Sequence, residues 1–433
     1  MHAKIKVLPV IVRSPPTDSL KEASYVLYRW ATFTEPYRVK DLDDWRRIPE
    51  KVGDVDVVML FGGFWSVPDP LKAIDKPIVV WSWTHEGTLT MWLWETLSWL
   101  RANGIDVPVF INVEHLREYF RALAAYKSIK GCKVLLVLAG NLWFTWGYPG
   151  VREALSRRLG LRFVEKDRRY LEEILKDISD EDARNLLEQK GFTCRGVDSE
   201  DVLEAFKLYL ALKKVLEEEG YSGVGVDCLL KPFYSKAGKP IHPCLAFSLL
   251  SDEGIACGCE GDVLSIATML LLNRFFDEPC FMTNVYPLSI GSVVAKHLGI
   301  PVHEFDPKRT ILLCHCAYLG VVPPSLATKF HLTEKWDKMH KGGIMVDVEI
   351  PLGSVTAARL SPIADSLQVF SGRLERILRF SSIHCRAVGV VEVDDSVKIA
   401  ERIYSHHMII LPGDRREELK MLSKACGLKY EEL

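Results

Sequence analysis

The sequence lacks the excess of basic residues with which proteins neutralise nucleic acids or anionic membrane surfaces. It has 55 Lys and Arg against 57 Asp and Glu, which gives a formal net charge of −2. Binding along a phosphate backbone depends on clustered positive charge, so this balance argues against both classes of partner. We therefore expect neither a nucleic-acid partner nor a membrane partner.

Long apolar runs and a secretory pattern are also missing. No stretch reaches the roughly 18 apolar residues that a membrane-spanning helix requires, and the first residues do not combine a short apolar segment with a small-residue cleavage site. These absences predict a cytoplasmic protein. Disulfides are not expected, because the 11 cysteines are odd in number and several lie within apolar runs, namely Cys228, Cys244 and Cys280.

The sequence is rich in apolar strands that alternate with helical patterns. Its 433 residues, of which 48% are hydrophobic, are sufficient for several cores. Such alternation is typical of parallel sheets covered by helices on both faces. The strand candidates of this part are 6–12, 55–61, 77–83, 107–113 and 133–139, and the pair Gly62-Gly63 after the second one is interpreted as turn glycine, because a full dinucleotide-binding fingerprint is absent.

From residue 343 onward the strand candidates become shorter and are separated by turn signals. Regular short strands of this kind indicate an antiparallel barrel or sandwich. We predict an α/β protein in which two N-terminal doubly wound α/β domains precede a β-rich, barrel-like C-terminal domain. The predicted boundaries are 1–150 for a Rossmann-like domain, 151–340 for a central α/β domain with Glu260 and His315, and 341–433 for a β-rich domain with a terminal helix and His407.

Two carboxylates stand between a predicted strand and a predicted helix, in the tripeptide Glu260-Gly261-Asp262. The strand covers 255–257 and the helix 262–276, and open α/β sheets place their ligand chemistry at this carboxyl end of a strand. Asp262 is interpreted as the helix N-cap, a preferred position for Asp. A cap needs only one of the two acids, so Glu260 is a candidate metal ligand or general base.

Other candidate site residues lie at or near the ends of apolar strands. His315 occupies the centre of the predicted strand 310–319, and the pair His406-His407 leads into a buried strand. Only one of two adjacent strand residues can face a given site, because side chains alternate. Asp227, inside the predicted strand 223–230, is either an orienting residue or a satisfied buried acid. His85, after the third strand, is a candidate substrate contact.

A zinc site made of thiolates is an alternative use of two Cys-x-Cys pairs, Cys257 with Cys259 and Cys314 with Cys316. Soft thiolate ligands suit zinc. Their one-residue spacing is tighter than that of the usual structural zinc sites, which disfavours this interpretation.

Four motifs in order resemble those of the L-fucose/L-arabinose isomerase superfamily. They are Glu260-Gly261-Asp262, then Phe281-Met282-Thr283-Asn284, then His315 followed by Pro324-Ser325, then His406-His407 followed by Gly413-Asp414. The motif match covers 250–433, and the N-terminal part agrees with the family's architecture by pattern alone. The chain is thus similar to a fucose isomerase-like protein of unassigned subfamily.

The resemblance implies a metal-dependent aldose–ketose isomerase that acts on a small sugar of the L-fucose or L-arabinose type through an enediol. The resemblance makes Glu260 the acid/base and the first metal ligand, and Asp262 is our own candidate for a second catalytic residue. Carboxylate and imidazole together accept several first-row divalent ions, of which we predict Mn²⁺. The metal ligands that the resemblance implies are Glu260, His315 and His407, with His406 as the less favoured alternative to His407. We add Asn284 as a weak fourth metal ligand, and the candidate substrate contacts are His85, Asp227 and His406.

The family's second carboxylate falls on the pair Thr283-Asn284, and neither residue is an acid. An Asn carbonyl can coordinate a hard cation but cannot shuttle a proton. Either Asp262 or Asp227 completes the catalytic pair, or the chain has left isomerase chemistry. The alternative function is a diverged, non-catalytic carbohydrate-binding or regulatory protein on the same scaffold.

The resemblance also implies a homo-oligomer, a trimer or hexamer in which an N-terminal domain covers a neighbour's active site. Ten of the 11 tryptophans lie within the first 150 residues. Some of them must line cores, since Trp is usually well buried, but Trp is also enriched among interface anchors.

Overall fold

The computed structural model describes most of the 433-residue chain. The described residues are 3–12, 19–61, 71–81, 92–138, 148–228, 233–235, 238–290, 302–315, 318–334, 342–379 and 386–433. They form two compact units, residues 1–128 and residues 129–433. His85, Cys316 and the pair Gly62-Gly63, singled out in the sequence, lie outside the described residues.

The first unit is built on a parallel sheet. Its described strands are β1 (Ile5–Val12), β2 (Ala31–Phe33), β3 (Tyr37–Val39), β4 (Val57–Phe61), β5 (Ile78–Trp81) and β6 (Val109–Phe110). Their order is β2-β1-β4-β5-β6, and β3 also pairs with β1. Every residue of β4 and β5 is buried, as in strands that are covered on both faces. The helices are α1 (Ser19–Leu27), α2 (Leu42–Arg46), α3 (Ile48–Val52), α4 (Trp92–Ala102) and α5 (Val113–Ile129).

The predicted strand 107–113 is shorter in the structure, and the reason is a helix start signal. The strand covers only Val109–Phe110, and α5 begins at Val113. The Asn112 side chain accepts a hydrogen bond of 3.1 Å from the backbone N–H of His115, as an Asn at a helix start does.

The second unit opens with a parallel sheet of its own. Its described strands run in the order β13-β10-β7-β8, where β7 is Lys133–Leu138, β8 Arg162–Asp167, β10 Tyr221–Val226 and β13 Ala256–Cys259. The helices of this part are α6 (Pro149–Leu159), α7 (Arg168–Lys176), α8 (Asp180–Lys190), α9 (Ser199–Glu219), α10 (Cys244–Asp252) and α11 (Val263–Phe276). α11 is buried along nearly its whole length, because it packs against this sheet and against the barrel that follows.

Six described strands of the second unit close into an antiparallel barrel. In barrel order they are β18 (Gly353–Leu360), β21 (His407–Pro412), β14 (Phe281–Pro287), β15 (Thr310–Leu313), β20 (Ala387–Glu392) and β19 (Ser366–Arg379), and β19 pairs back with β18. Closure removes the exposed strand edges that an open sheet would present. The predicted fold class, with parallel α/β sheets followed by a barrel, is confirmed. The division into three domains at residues 150 and 340 stays a prediction.

The remaining described elements are small. β9 (Thr193–Arg195), β16 (Lys329–Glu334) and β17 (Ile344–Glu349) form a sheet, β11 (Phe233–Tyr234) pairs with β12 (Pro240–Ile241), and β22 (Lys429–Glu432) pairs with β19. The two C-terminal helices are α12 (Ser396–Arg402) and α13 (Arg416–Cys426). Among the described residues, no helix combines the length and the apolar character needed to cross a membrane.

Candidate metal centre

The turn between β13 and α11 holds Glu260 in an unusual backbone conformation. Glu260 has a φ of 57°, in the left-handed region that costs a non-glycine residue roughly 1–2 kcal/mol. The turn is tied to the end of β10, because Gly261 N–H donates to the Val226 carbonyl at 3.1 Å. A Cβ on Gly258 would lie 2.6 Å from Ile266 Cγ1, so the strand and helix approach too closely for any side chain there. Glu260 is therefore fixed at the carboxyl end of the parallel sheet.

Asp262 is the N-cap of α11, as predicted from its position. It accepts backbone hydrogen bonds from Leu264 and Ser265, both at 3.0 Å. Its side chain is fully buried and has further partners, because Asp262 Oδ2 lies 2.9 Å from His407 Nδ1 and 2.9 Å from an Arg359 guanidinium nitrogen. Asp262 is thus a cap and the centre of a buried polar network.

His407 begins β21 and lies beside Asn284 of β14, its cross-strand partner. The His407 side chain is buried, and its Nε2 atom lies 3.7 Å from Glu260 Oε2. The adjacent His406 is exposed, as alternation along a strand requires. The structure thus places His407, and not His406, in the group around Glu260.

His315 lies just beyond the end of β15, which stops at Leu313 rather than continuing to residue 319. A bridge to Tyr318 holds it: His315 N–H donates to the Tyr318 carbonyl at 2.6 Å, and Tyr318 N–H donates back at 3.1 Å. The imidazole is 1% exposed, and its Nε2 atom lies 3.9 Å from Glu260 Oε1.

Glu260, His315 and His407 form a group whose candidate ligand atoms all lie within 4.8 Å of one another. The two Glu260–imidazole separations are too long for hydrogen bonds. At 3.7 and 3.9 Å they lie at the upper end of the roughly 3–4 Å that separates donors bound to one ion with ligand distances near 2.1 Å. One carboxylate and two imidazoles also form a donor set that several divalent ions accept. The group therefore fits a divalent cation, whose identity the geometry leaves open.

Burial dominates the electrostatics of this group. It raises the pKa of Glu260 to about 7; nearby His315 opposes the shift, and Cys228, Asp262 and Asp227 add to it. Burial would also raise the pKa of Asp262, but the positive charge of Arg359 and the His407 hydrogen bond hold it far below its usual range. Burial lowers the pKa of His407, so its imidazole is neutral, as a metal ligand must be. The low pKa of Asp262 favours its ionised form, which lies beside the group of Glu260, His315 and His407.

The structure distinguishes between Thr283 and Asn284 at the position of the missing carboxylate. The Thr283 hydroxyl is fully buried and donates to the Leu319 carbonyl at 2.6 Å. Asn284 Nδ2 donates to the Tyr286 hydroxyl at 2.8 Å, while Asn284 Oδ1 is buried and has no hydrogen-bond partner among the described residues. With His407 directly across the strand pair, Asn284 is the residue of the two that lies beside the group.

The other candidates have different surroundings. Asp227 follows β10, is 3% exposed and lies close enough to Glu260 for its charge to raise the carboxyl pKa. Cys257 and Cys259 are buried, and burial raises the pKa of the Cys257 thiol to about 12, which opposes a thiolate. Within the described part of the chain, the groups of metal-ligating side chains include no cysteine.

Sequence reasoning missed Arg359, although its guanidinium is 1% exposed and touches the site. It lies near the end of β18, in the segment Val355–Leu360, where it is the single charged residue. A buried charge needs a partner, so a lone Arg within an apolar strand is the signal that could have identified it. The partner could not be named from that signal.

A parallel α/β sheet and a closed barrel thus bring a carboxylate and two imidazoles together, which defines an α/β protein with a candidate metal centre.

No protein-family model matches the chain. The chain is similar to the sulfoquinovose isomerase of Alkalicoccus urumqiensis, with 25% identity over 231 residues, 52% of this chain and 47% of that protein. The sulfoquinovose isomerases of Priestia aryabhattai and Priestia megaterium are 24% identical over 226 residues, 50% of this chain and 45% of each protein.

The chain therefore spans about half the length of the curated relatives it matches. These relatives are sugar isomerases by name, and sulfoquinovose isomerases belong to the L-fucose/L-arabinose isomerase-like superfamily. The resemblance predicted from the four motifs is confirmed by this similarity.

Proposed function

We propose that the protein is a metal-dependent aldose–ketose isomerase that acts on a small sugar. The observation that supports this most directly is the buried group of Glu260, His315 and His407, in a chain similar to sugar isomerases. The candidate sugars come from two sources. The motifs indicate sugars of the L-fucose and L-arabinose type, and the names of the matched proteins indicate sulfoquinovose.

Glu260, His315 and His407 would hold the cation, with the Asn284 carbonyl as a fourth, weaker ligand, and Mn²⁺ is the ion we propose. The cation would polarise the two sugar oxygens between which the carbonyl moves. Glu260 would remove the proton from the aldose C2 and return it to C1, while the proton of the C2 hydroxyl moves to the C1 oxygen, so that the substrate passes through an enediol. The Glu260 side chain is 12% exposed and lies beside two buried imidazoles, which would limit exchange of that proton with water.

The test of this proposal is an assay of ketose formation by the purified protein with Mn²⁺. The aldose panel contains L-fucose, L-arabinose and sulfoquinovose, and a chelator-treated sample serves as the metal-free comparison. Ketose formation that depends on the cation is the expected result. A protein that retains the metal and converts none of the aldoses would contradict the proposal.

The second candidate function is a non-catalytic carbohydrate-binding or regulatory protein on the same scaffold. The observation that favours it is Asn284, whose amide cannot transfer a proton where the family has a carboxylate. Calorimetric binding of an aldose without any turnover, in protein loaded with metal, would identify this case.

Metal binding by the group leads to a direct prediction. Glu260→Gln and His407→Ala should each lower the Mn²⁺ retained after dialysis, since each alters one of the three stronger protein ligands. The matched control is His406→Ala, because His406 neighbours His407 in sequence but is exposed and outside the group. Metal content is measured by atomic spectroscopy. Stoichiometric metal in the Glu260→Gln/His407→Ala double variant would remove the site from consideration.

We also propose a cytoplasmic homo-oligomer, a trimer or hexamer, in which aromatic residues of the first unit lie at subunit contacts. Trp30, Trp45 and Trp81 are buried in that unit, but Trp94 and Trp99 are 57% and 36% exposed on α4. Exposed Trp is a typical interface anchor. Light scattering should give a molar mass of three or six chains, and a mass near 49.1 kDa across micromolar concentrations would contradict the prediction.

A further inference from the structure

Arg359 joins three elements of the second unit through its guanidinium. One nitrogen donates to the His407 carbonyl and to Ser265 Oγ, each at 2.9 Å, and the other donates to both Asp262 oxygens, at 2.9 and 3.1 Å. These contacts link β18 with the first turn of α11 and with the first residue of β21. The main chain of His407 is therefore held by the same guanidinium group that pairs with Asp262.

The contact between Asp262 and His407 determines which imidazole nitrogen holds the proton. An ionised carboxylate only accepts hydrogen bonds, so the 2.9 Å contact requires a proton on His407 Nδ1. A neutral imidazole protonated there has its lone pair on Nε2. Nε2 is the atom that lies 3.7 Å from Glu260.

Capping alone does not account for these interactions. Asp395 caps α12 through the same two kinds of backbone bond, to Val397 and Lys398, both at 2.9 Å, and it is exposed. Asp262 makes the equivalent bonds but is fully buried, where an ionised carboxylate is costly unless it is paired. The Asp262–Arg359 pair thus exceeds what the start of a helix needs.

We propose that Asp262 and Arg359 are positioning residues that fix His407 as the Nδ1–H tautomer and so present its Nε2 lone pair to a divalent cation. This assigns Asp262 a role other than proton transfer to the sugar, and it assigns Arg359 a role that its sequence context did not indicate. The inference rests on the proposed metal centre of the isomerase. Its main test, however, needs neither substrate nor turnover.

The first measurement is the tautomer of His407 in the metal-free, full-length protein labelled with ¹⁵N-histidine. Protonated and unprotonated imidazole nitrogens have well-separated ¹⁵N shifts, so the wild-type spectrum reports the tautomer without any variant, and His407→Gln assigns the signal. The expected result is Nδ1–H. Nε2–H in the wild type would overturn the proposal.

The second measurement uses Asp262→Asn, which retains a capping oxygen but places an amide donor opposite His407 Nδ1. The imidazole should then change to the Nε2–H tautomer, and the Mn²⁺ dissociation constant, measured by calorimetry, should rise by about 10- to 100-fold. The matched control is Asp395→Asn, the same change at an exposed cap, which should leave both tautomer and affinity unchanged. An unchanged tautomer and affinity in folded Asp262→Asn would overturn the proposal.

Arg359→Lys provides a second variant if Asp262→Asn does not fold. Lys keeps the positive charge beside Asp262 but cannot reproduce the fork of bonds to Ser265 and to the His407 carbonyl. We expect Arg359→Lys to raise the Mn²⁺ dissociation constant less than Asp262→Asn does and to retain the Nδ1–H tautomer. Wild-type affinity in Arg359→Lys would overturn the role of Arg359. A wild type that shows the Nδ1–H tautomer and binds Mn²⁺ but converts no aldose would support the positioning roles while contradicting the proposed isomerase.

Discussion

Replacing Glu260 with Gln is expected to lower kcat for aldose-to-ketose conversion by roughly 10³-fold or more, while sugar still binds. Gln has nearly the same shape, so it can occupy the left-handed position at the end of the parallel sheet. Its amide, however, cannot accept the proton that must leave the sugar carbon. The measurement is steady-state ketose formation with saturating Mn²⁺, together with calorimetric binding of the same sugar.

Saturating metal separates the two roles of Glu260, since weaker metal binding is overcome by concentration and loss of the base is not. Glu392→Gln is the matched control, because Glu392 is exposed at the end of β20 and pairs with Arg309 at 3.0 Å. It should retain wild-type turnover. A Glu260→Gln protein that turns over at the control's rate would rule out Glu260 as the base.

Asn284→Asp is the second change for which we expect a large effect. It places a carboxylate directly across from His407, at the position where the family that this chain resembles has its second acid. Since a carboxylate binds a hard cation more strongly than an amide and can move a proton, kcat should rise by at least about tenfold and metal affinity should rise as well. Ketose formation and Mn²⁺ calorimetry measure the two effects.

Stability provides an independent check on Asn284→Asp. Without metal, Asn284→Asp should lower the free energy of unfolding, because two like charges repel in a buried site. With Mn²⁺ bound, the same change should raise the free energy of unfolding, because the added carboxylate binds the cation. Thr283→Asp is the contrasting variant. It should yield no gain in turnover, because the Thr283 hydroxyl is bonded to the Leu319 carbonyl. Turnover only in Asn284→Asp, and not in the wild type, would identify the chain as a diverged relative that has lost the reaction.

The sequence by itself determined the local features of this protein. Apolar runs such as Val57–Phe61 form buried parallel strands, because their side chains must be covered on both faces. Asp262 caps α11 because the preference of Asp for a helix start depends only on the neighbouring backbone. The motif order also indicated the sugar isomerase resemblance, and it identified Glu260, His315 and His407 as candidate site residues.

Only the tertiary structure decided which of these residues meet. Asp262 is 145 positions from His407 and 97 from Arg359, and no local pattern specifies pairs so far apart. The choice of His407 over His406, and of Asn284 over Thr283, follows from which face each strand turns toward Glu260 once the barrel has closed. Strand neighbours and register are set by packing of the whole barrel, and a charge such as Arg359 can be buried only where that packing supplies its partner.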